Sequence, residues 1–92
     1  MPTTPQVAPP LAINKTMTAD ATAEGVVTVE DTSPFKMSDF VYLQGTDLRP
    51  RRCVVKEVTD ATHMTLLNEG CKPTDLSAFT VAAASTVGKR KA

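Results

Sequence analysis

A chain of 92 residues has room for one domain, and a unit this small buries only about 60 to 65% of the surface its unfolded chain exposes. Ten Lys plus Arg balance ten Asp plus Glu, which excludes a global electrostatic pull toward nucleic acid or an anionic membrane. The balance is uneven along the chain. Residues 1–46 hold Lys15 and Lys36 against Asp20, Glu24, Glu30, Asp31 and Asp39, and residues 47–92 carry the compensating basic excess, a distribution that suits contacts between neighbouring copies.

The first segment, "MPTTPQVAPPLAINKTM", lacks a basic stretch followed by an apolar one, so it does not read as a secretory signal. No apolar run approaches the length of a membrane span, and a cytoplasmic protein, without a membrane partner, is expected. Prolines at 2, 5, 9 and 10, followed by "TMTADATAE", bias residues 1–24 toward an extended arm that cannot pack by itself. Fully extended, such an arm reaches on the order of 75 to 85 Å, far enough to strap a neighbour through Pro5, Pro9, Pro10, Leu11 and Ile13. "PTTPQVAPP" also resembles a polyproline ligand for an aromatic groove, although no arginine flanks it.

From Gly25 the texture is that of strands. "GVVTVE" places Val27 and Val29 on one face, and "DTSP" supplies turn chemistry. "DFVYLQ" sends Val41 and Leu43 to one side and Phe40 and Tyr42 to the other, so this strand is apolar on both faces. After a turn at "GTDLRP", "RRCVVKEV" turns Cys53 and Val55 inward and Arg52, Val54 and Lys56 outward. "TDAT" closes a hairpin onto "HMTLLN", where Met64 and Leu66 alternate with His63, Thr65 and Leu67. "LSAFTVAAAS" reads as a fifth strand through Phe79 and Val81, with two helical turns as the alternative. Five short strands separated by turns predict an all-β, five-stranded antiparallel barrel or sandwich. It spans residues 25–84, between the 1–24 arm and a basic tail at 85–92.

"PFKMSDFVYLQG" followed by "CVVKEVTDATHMTLL" resembles the recurrent pattern of SH3-like barrels, with an aromatic, a polar link and an Asp leading into V-x-L. A Gly precedes that Asp in the best-kept members, whereas Ser38 stands here. A short barrel with a Pro-, Thr- and Ala-rich arm is also similar to accessory proteins of tailed-phage virions, namely capsid decoration and head or tail adaptor subunits. The resemblance implies a location in the virion, assembled in the host cytoplasm, and a major capsid or tail protein as partner.

Material for catalysis is sparse. His63 could act as a base only with Asp60 and a Ser, Thr or Cys53 nucleophile beside it, and an exposed strand-end histidine is the commoner case. One His and two separated Cys show no metal-ligand spacing, and glycines at 25, 45, 70 and 88 make no phosphate loop. No enzyme, metal or cofactor is expected. Cys53 and Cys71 read first as reduced thiols, because mirroring the hairpin about residue 60 puts position 67 or 68, not 71, opposite Cys53.

Arg49, Arg51 and Arg52 in "RPRRC" are three guanidiniums in four residues. They could grip an acidic partner surface, sit solvated against Asp47 and Glu57, or bind nucleic acid with Phe40 and Tyr42 as stacking faces. Neutrality of the chain ranks nucleic acid second to a protein partner. The expectation is therefore a structural or assembly protein that binds itself or a larger body through the arm and an outer face of Phe40, Tyr42 and Leu67.

Overall fold

The computed structural model describes residues 13–46 and 48–90, all of them free of helix. Six antiparallel strands form the fold: β1 (Ile13–Ala19), β2 (Val26–Val29), β3 (Phe40–Gly45), β4 (Leu48–Val58), β5 (His63–Asn68) and β6 (Thr86–Lys89). They close into a barrel in the order β1-β2-β5-β4-β3-β6. Closure satisfies the hydrogen-bonding edges that a small open sheet would leave exposed.

The interior follows the alternation in the sequence. Val27 and Val29, Val41 and Leu43, Cys53 and Val55, and Met64 and Leu66 all bury their side chains in one core. A bulge at Lys56 shifts the β4–β5 register between Val55 and Glu57, and it lets Val58, an odd number of residues from Val55, also pack on that core.

Two strands lie where the sequence reading put an arm and a tail. Residues 13–19 are not arm but β1, paired with β2 and, from Ile13↔Lys89 to Thr16↔Thr86, with β6. The inward set Ile13, Lys15, Met17 carries a lysine in its middle, which hides the period of two. β6 offers one apolar side chain, Val87, fully buried, beside a glycine, too little pattern to read. The predicted fifth strand over 76–85 does not form. Leu76 and Phe79 are buried three residues apart while Val81 is 45% exposed. The segment is a chain of turns that plugs the barrel, tied by Leu76 N–H to Thr22 C=O (3.1 Å) and Ala21 N–H to Phe79 C=O (3.0 Å).

Ser38 adopts φ 75°, in the left-handed region. Its N–H donates to Val55 C=O (2.8 Å), and Val55 N–H donates to Asp39 C=O (2.9 Å). The tight turn before Asp39 is thus made by a serine in a conformation that favours glycine, at a conformational cost.

Candidate functional site

The outward residues of β3, β4 and β5 meet in register. Phe40 pairs with Val54, Val54 with Leu67, and Tyr42 with Arg52. Phe40, Val54 and Leu67 therefore form one apolar row across three strands. Val54, flanked on both sides, is only 8% exposed, whereas Phe40 is 51% exposed and Met37, in the turn before it, 69%. Leu67 is half-buried and bridges Pro73, so the open end of the row is at Phe40. Tyr42, half-buried, borders it between Arg52 and Gly88. Pro5, Pro9, Pro10 and Leu11 lie outside the described residues. Ile13 belongs to the barrel, where it is partly buried against the core.

The three arginines do not form a loop. They lie on β4, because only Thr46 and Asp47 separate β3 from β4 and the strand begins at Leu48 rather than at Arg51. Arg52 stacks its guanidinium on Phe40, 4.2 Å from the ring centroid, and approaches Glu69 at 3.8 Å. Arg51 leans over Phe79, 5.6 Å from that centroid, and donates from Nη1 to Asp75 C=O (2.9 Å). Glu57 pairs with neither, and Asp47 lies outside the described residues. Pro50, Arg51, Arg52, Asn68, Glu69, Gly70 and Thr74 line a surface cleft of about 480 Å³.

Comparison with protein-family models, with curated proteins and with solved structures finds no match. The site is therefore read from its own chemistry.

His63 Nδ1 lies 2.9 Å from both Thr62 Oγ1 and Asp60 Oδ1. Both contacts use one ring nitrogen, so hydroxyl and carboxylate are not on opposite sides of the ring as a relay through the imidazole requires. Asp60 Oδ1 also accepts the N–H groups of Thr62 (2.9 Å) and His63 (2.8 Å). The cluster is the fastening of the β4–β5 hairpin. Backbone donation from Thr62, followed by the His63 side chain, holds the Asp60 carboxyl down at about 2.

Cys53 sits opposite Asn68, within the pair of positions expected from the hairpin, and both cysteines are free. Burial pushes the Cys53 thiol up to about 11, far from a reactive thiolate. Among the described residues, no group of three His, Cys, Asp or Glu is placed to hold a metal ion, and no helix is long and apolar enough to cross a membrane.

At the barrel end, Lys89 Nζ donates to Asp39 Oδ2 at 2.9 Å with both side chains largely covered, and Asp39 Oδ2 also accepts Lys36 N–H (2.8 Å). Partial burial raises the Asp39 carboxyl, but the hydrogen bonds from Lys89 and Lys36 outweigh it and leave the group below its ordinary range. Lys89 belongs to the barrel, not to a solvated tail.

Proposed function

We propose that the chain is a non-enzymatic assembly subunit, whose barrel packs against neighbouring copies or a larger body through the Phe40 end of the apolar row, with the proline-rich segment before Ile13 as a tether. The observation that carries this reading is the row itself. Three strands contribute Phe40, Val54 and Leu67 in register, and the half that is not covered by the chain ends in exposed Phe40 and Met37. A small barrel with a filled core has little other use for an aromatic half in water.

The more specific reading is an SH3-like accessory subunit of a tailed-phage virion, of the capsid decoration or head–tail adaptor kind, with itself or a major capsid or tail protein as partner. Support comes from the 34–67 pattern, in which Ser38 takes the backbone conformation of the usual glycine, and from the Pro-, Thr- and Ala-rich N-terminal segment. A nucleic-acid module is the weaker reading. The Phe40 ring and the Arg52 guanidinium, the surfaces on which a base would stack, are stacked on each other, and Arg51 is spent on a carbonyl.

The test is the absolute mass of the full chain by light scattering coupled to gel filtration at physiological salt, beside Phe40→Asp. A defined oligomer in the parent and a folded monomer in the variant are expected, and an unchanged oligomer in the variant overturns the reading. Because β1 begins at Ile13, the informative truncation removes residues 1–12. A cut after residue 24 would take away a barrel strand and test folding instead.

A further inference from the structure

Barrel closure sorts the charges of the chain onto opposite sides. In the order β1-β2-β5-β4-β3-β6, the pair β1–β2 is separated from the pair β4–β3 by β5 on one side and β6 on the other. The two pairs are opposite walls. Residues 13–31, which make the first wall and its flanking turns, carry Asp20, Glu24, Glu30 and Asp31 against Lys15. Lys15 is half-buried in the inward set, whereas Asp20, Glu24 and Glu30 are exposed, so this wall shows water an acidic surface.

Three of those carboxylates are fixed by the backbone. Glu30 Oε2 accepts Thr16 N–H (3.1 Å) across the β1–β2 pair, Asp20 Oδ1 accepts Val81 N–H (2.9 Å), and Asp31 Oδ1 accepts Ser33 N–H (2.9 Å). Bonds of this kind favour the charged form. The outward side chains between them are short, with Asn14, Thr16 and Thr18 exposed beside half-buried Thr28.

The opposite wall is the complement. Phe40 and Met37 protrude from it, and exposed Lys36, Arg52 and Lys56 stand around them. Exposed Arg90 joins these from β6, two residues past Gly88, the partner of Tyr42. Carboxylates on this side do not cancel them. Asp39 is taken by Lys89 at 2.9 Å, which leaves Glu57, beside Lys56 in the chain, and Glu69, 3.8 Å from Arg52.

These charges choose the face that can cover Phe40. A second copy presenting the same wall would bring Lys and Arg against Lys and Arg, so a two-fold pairing through Phe40 is opposed by its own rim. The β1–β2 wall has the opposite sign, and its short side chains leave room for a protruding ring.

We propose that copies of this chain stack head to tail, the Phe40 wall of β3–β4 in one copy seating on the acidic β1–β2 wall of the next. This inference rests on the assembly reading above and names the surface that receives Phe40. Because the two walls lie on opposite sides of one barrel, the contact is heterologous, and the defined oligomer expected above is a closed ring.

Mixing two crippled copies tests the arrangement. Phe40→Asp spoils one wall. Glu24→Lys/Glu30→Gln spoils the other, while the new amide oxygen keeps an acceptor for Thr16 N–H. In light scattering across a dilution series, each variant alone is expected to weaken assembly at least tenfold. Mixed in equal amounts, the two are expected to form a dimer and nothing larger, since each brings the wall that the other has lost. An acidic-wall variant that assembles like the parent, or a mixture that stays monomeric, overturns this inference alone. The unmodified chain supplies a second reading, because its association constant should fall at least tenfold between about 0.05 and 0.5 M sodium chloride. Assembly indifferent to salt overturns the inference whether or not the variants fold. A parent that is monomeric at every concentration overturns the assembly reading and this inference with it.

Discussion

The Arg52 guanidinium lies over the Phe40 ring, 4.2 Å from its centroid, across the Tyr42↔Arg52 and Phe40↔Val54 pairs of β3 and β4. This places a cation on the one aromatic side chain that the barrel leaves in water. The contact is exposed, so it contributes on the order of 0.5 to 1 kcal/mol. A double-mutant cycle of Phe40→Ala and Arg52→Ala, read by urea unfolding of the monomeric barrel, should return a coupling of that size. A coupling near zero would mean that the two groups are adjacent without being attracted. Neither single variant should unfold the protein, because the core lies on the opposite faces of both strands.

Backbone strain separates Ser38 from Gly25. Ser38 holds φ 75° without needing its side chain for a bond that fixes the turn, whereas Gly25 holds φ 85° where an added Cβ would stand 2.5 Å from the Leu66 carbonyl oxygen. Ser38→Gly removes a left-handed penalty of about 1 kcal/mol and should raise the melting temperature by roughly 4 to 8 °C for a domain of this size. Gly25→Ala should do the reverse and more, since the Leu66 N–H to Gly25 C=O bond (2.8 Å) must break to clear the clash. Thermal melts of the two variants check both signs at once.

The four central strands were legible because each carries two inward apolar residues at a spacing of two, as in Val41 and Leu43 or Met64 and Leu66. The outer face was legible for the same reason, since Phe40 and Leu67 are the odd members of those patterns. β1 and β6 were not, because Lys15 interrupts one period and β6 has a single apolar residue, so their identity comes from closure with partners 70 or more residues apart, as in Asn14↔Gly88. "LSAFTVAAAS" misled because β-branched and aromatic residues suggest a strand, while burial at Leu76 and Phe79 with exposure of Val81 serves a plug.

Asp60 and Asp39 make stability depend on acid. Both carboxyls are depressed in the folded chain, Asp60 to about 2, against an unfolded value near 3.9. A group lowered on folding contributes stability that is fully present above its unfolded pKa and is lost as pH falls through the folded one. Stability should therefore be flat from neutrality to about pH 5 and fall between roughly pH 4 and pH 2. Asp60→Asn should flatten part of that fall, and its difference from the parent in urea midpoint should shrink toward pH 2. A difference that is constant with pH would show that the carboxylate charge is not what fastens the hairpin.

Ser85 is fully buried and its hydroxyl has no hydrogen-bond partner, in a core otherwise lined by apolar side chains. A β-carbon on Gly45 would stand 3.2 Å from that oxygen and 3.0 Å from Leu48 Cδ1, so the wall beside the hydroxyl is close-packed backbone and leucine. Burying such a group unpaired costs about 1 to 3 kcal/mol, and alanine removes the oxygen while leaving the β-carbon and a void smaller than a methyl group. The desolvation term outweighs the small loss of packing. Ser85→Ala is therefore expected to stabilise the barrel by about 1 kcal/mol, seen as a higher urea midpoint with an unchanged slope. A lower midpoint would mean that the hydroxyl is bonded in solution, by a water or by the Ser85 backbone neighbours, and that the site is polar by design.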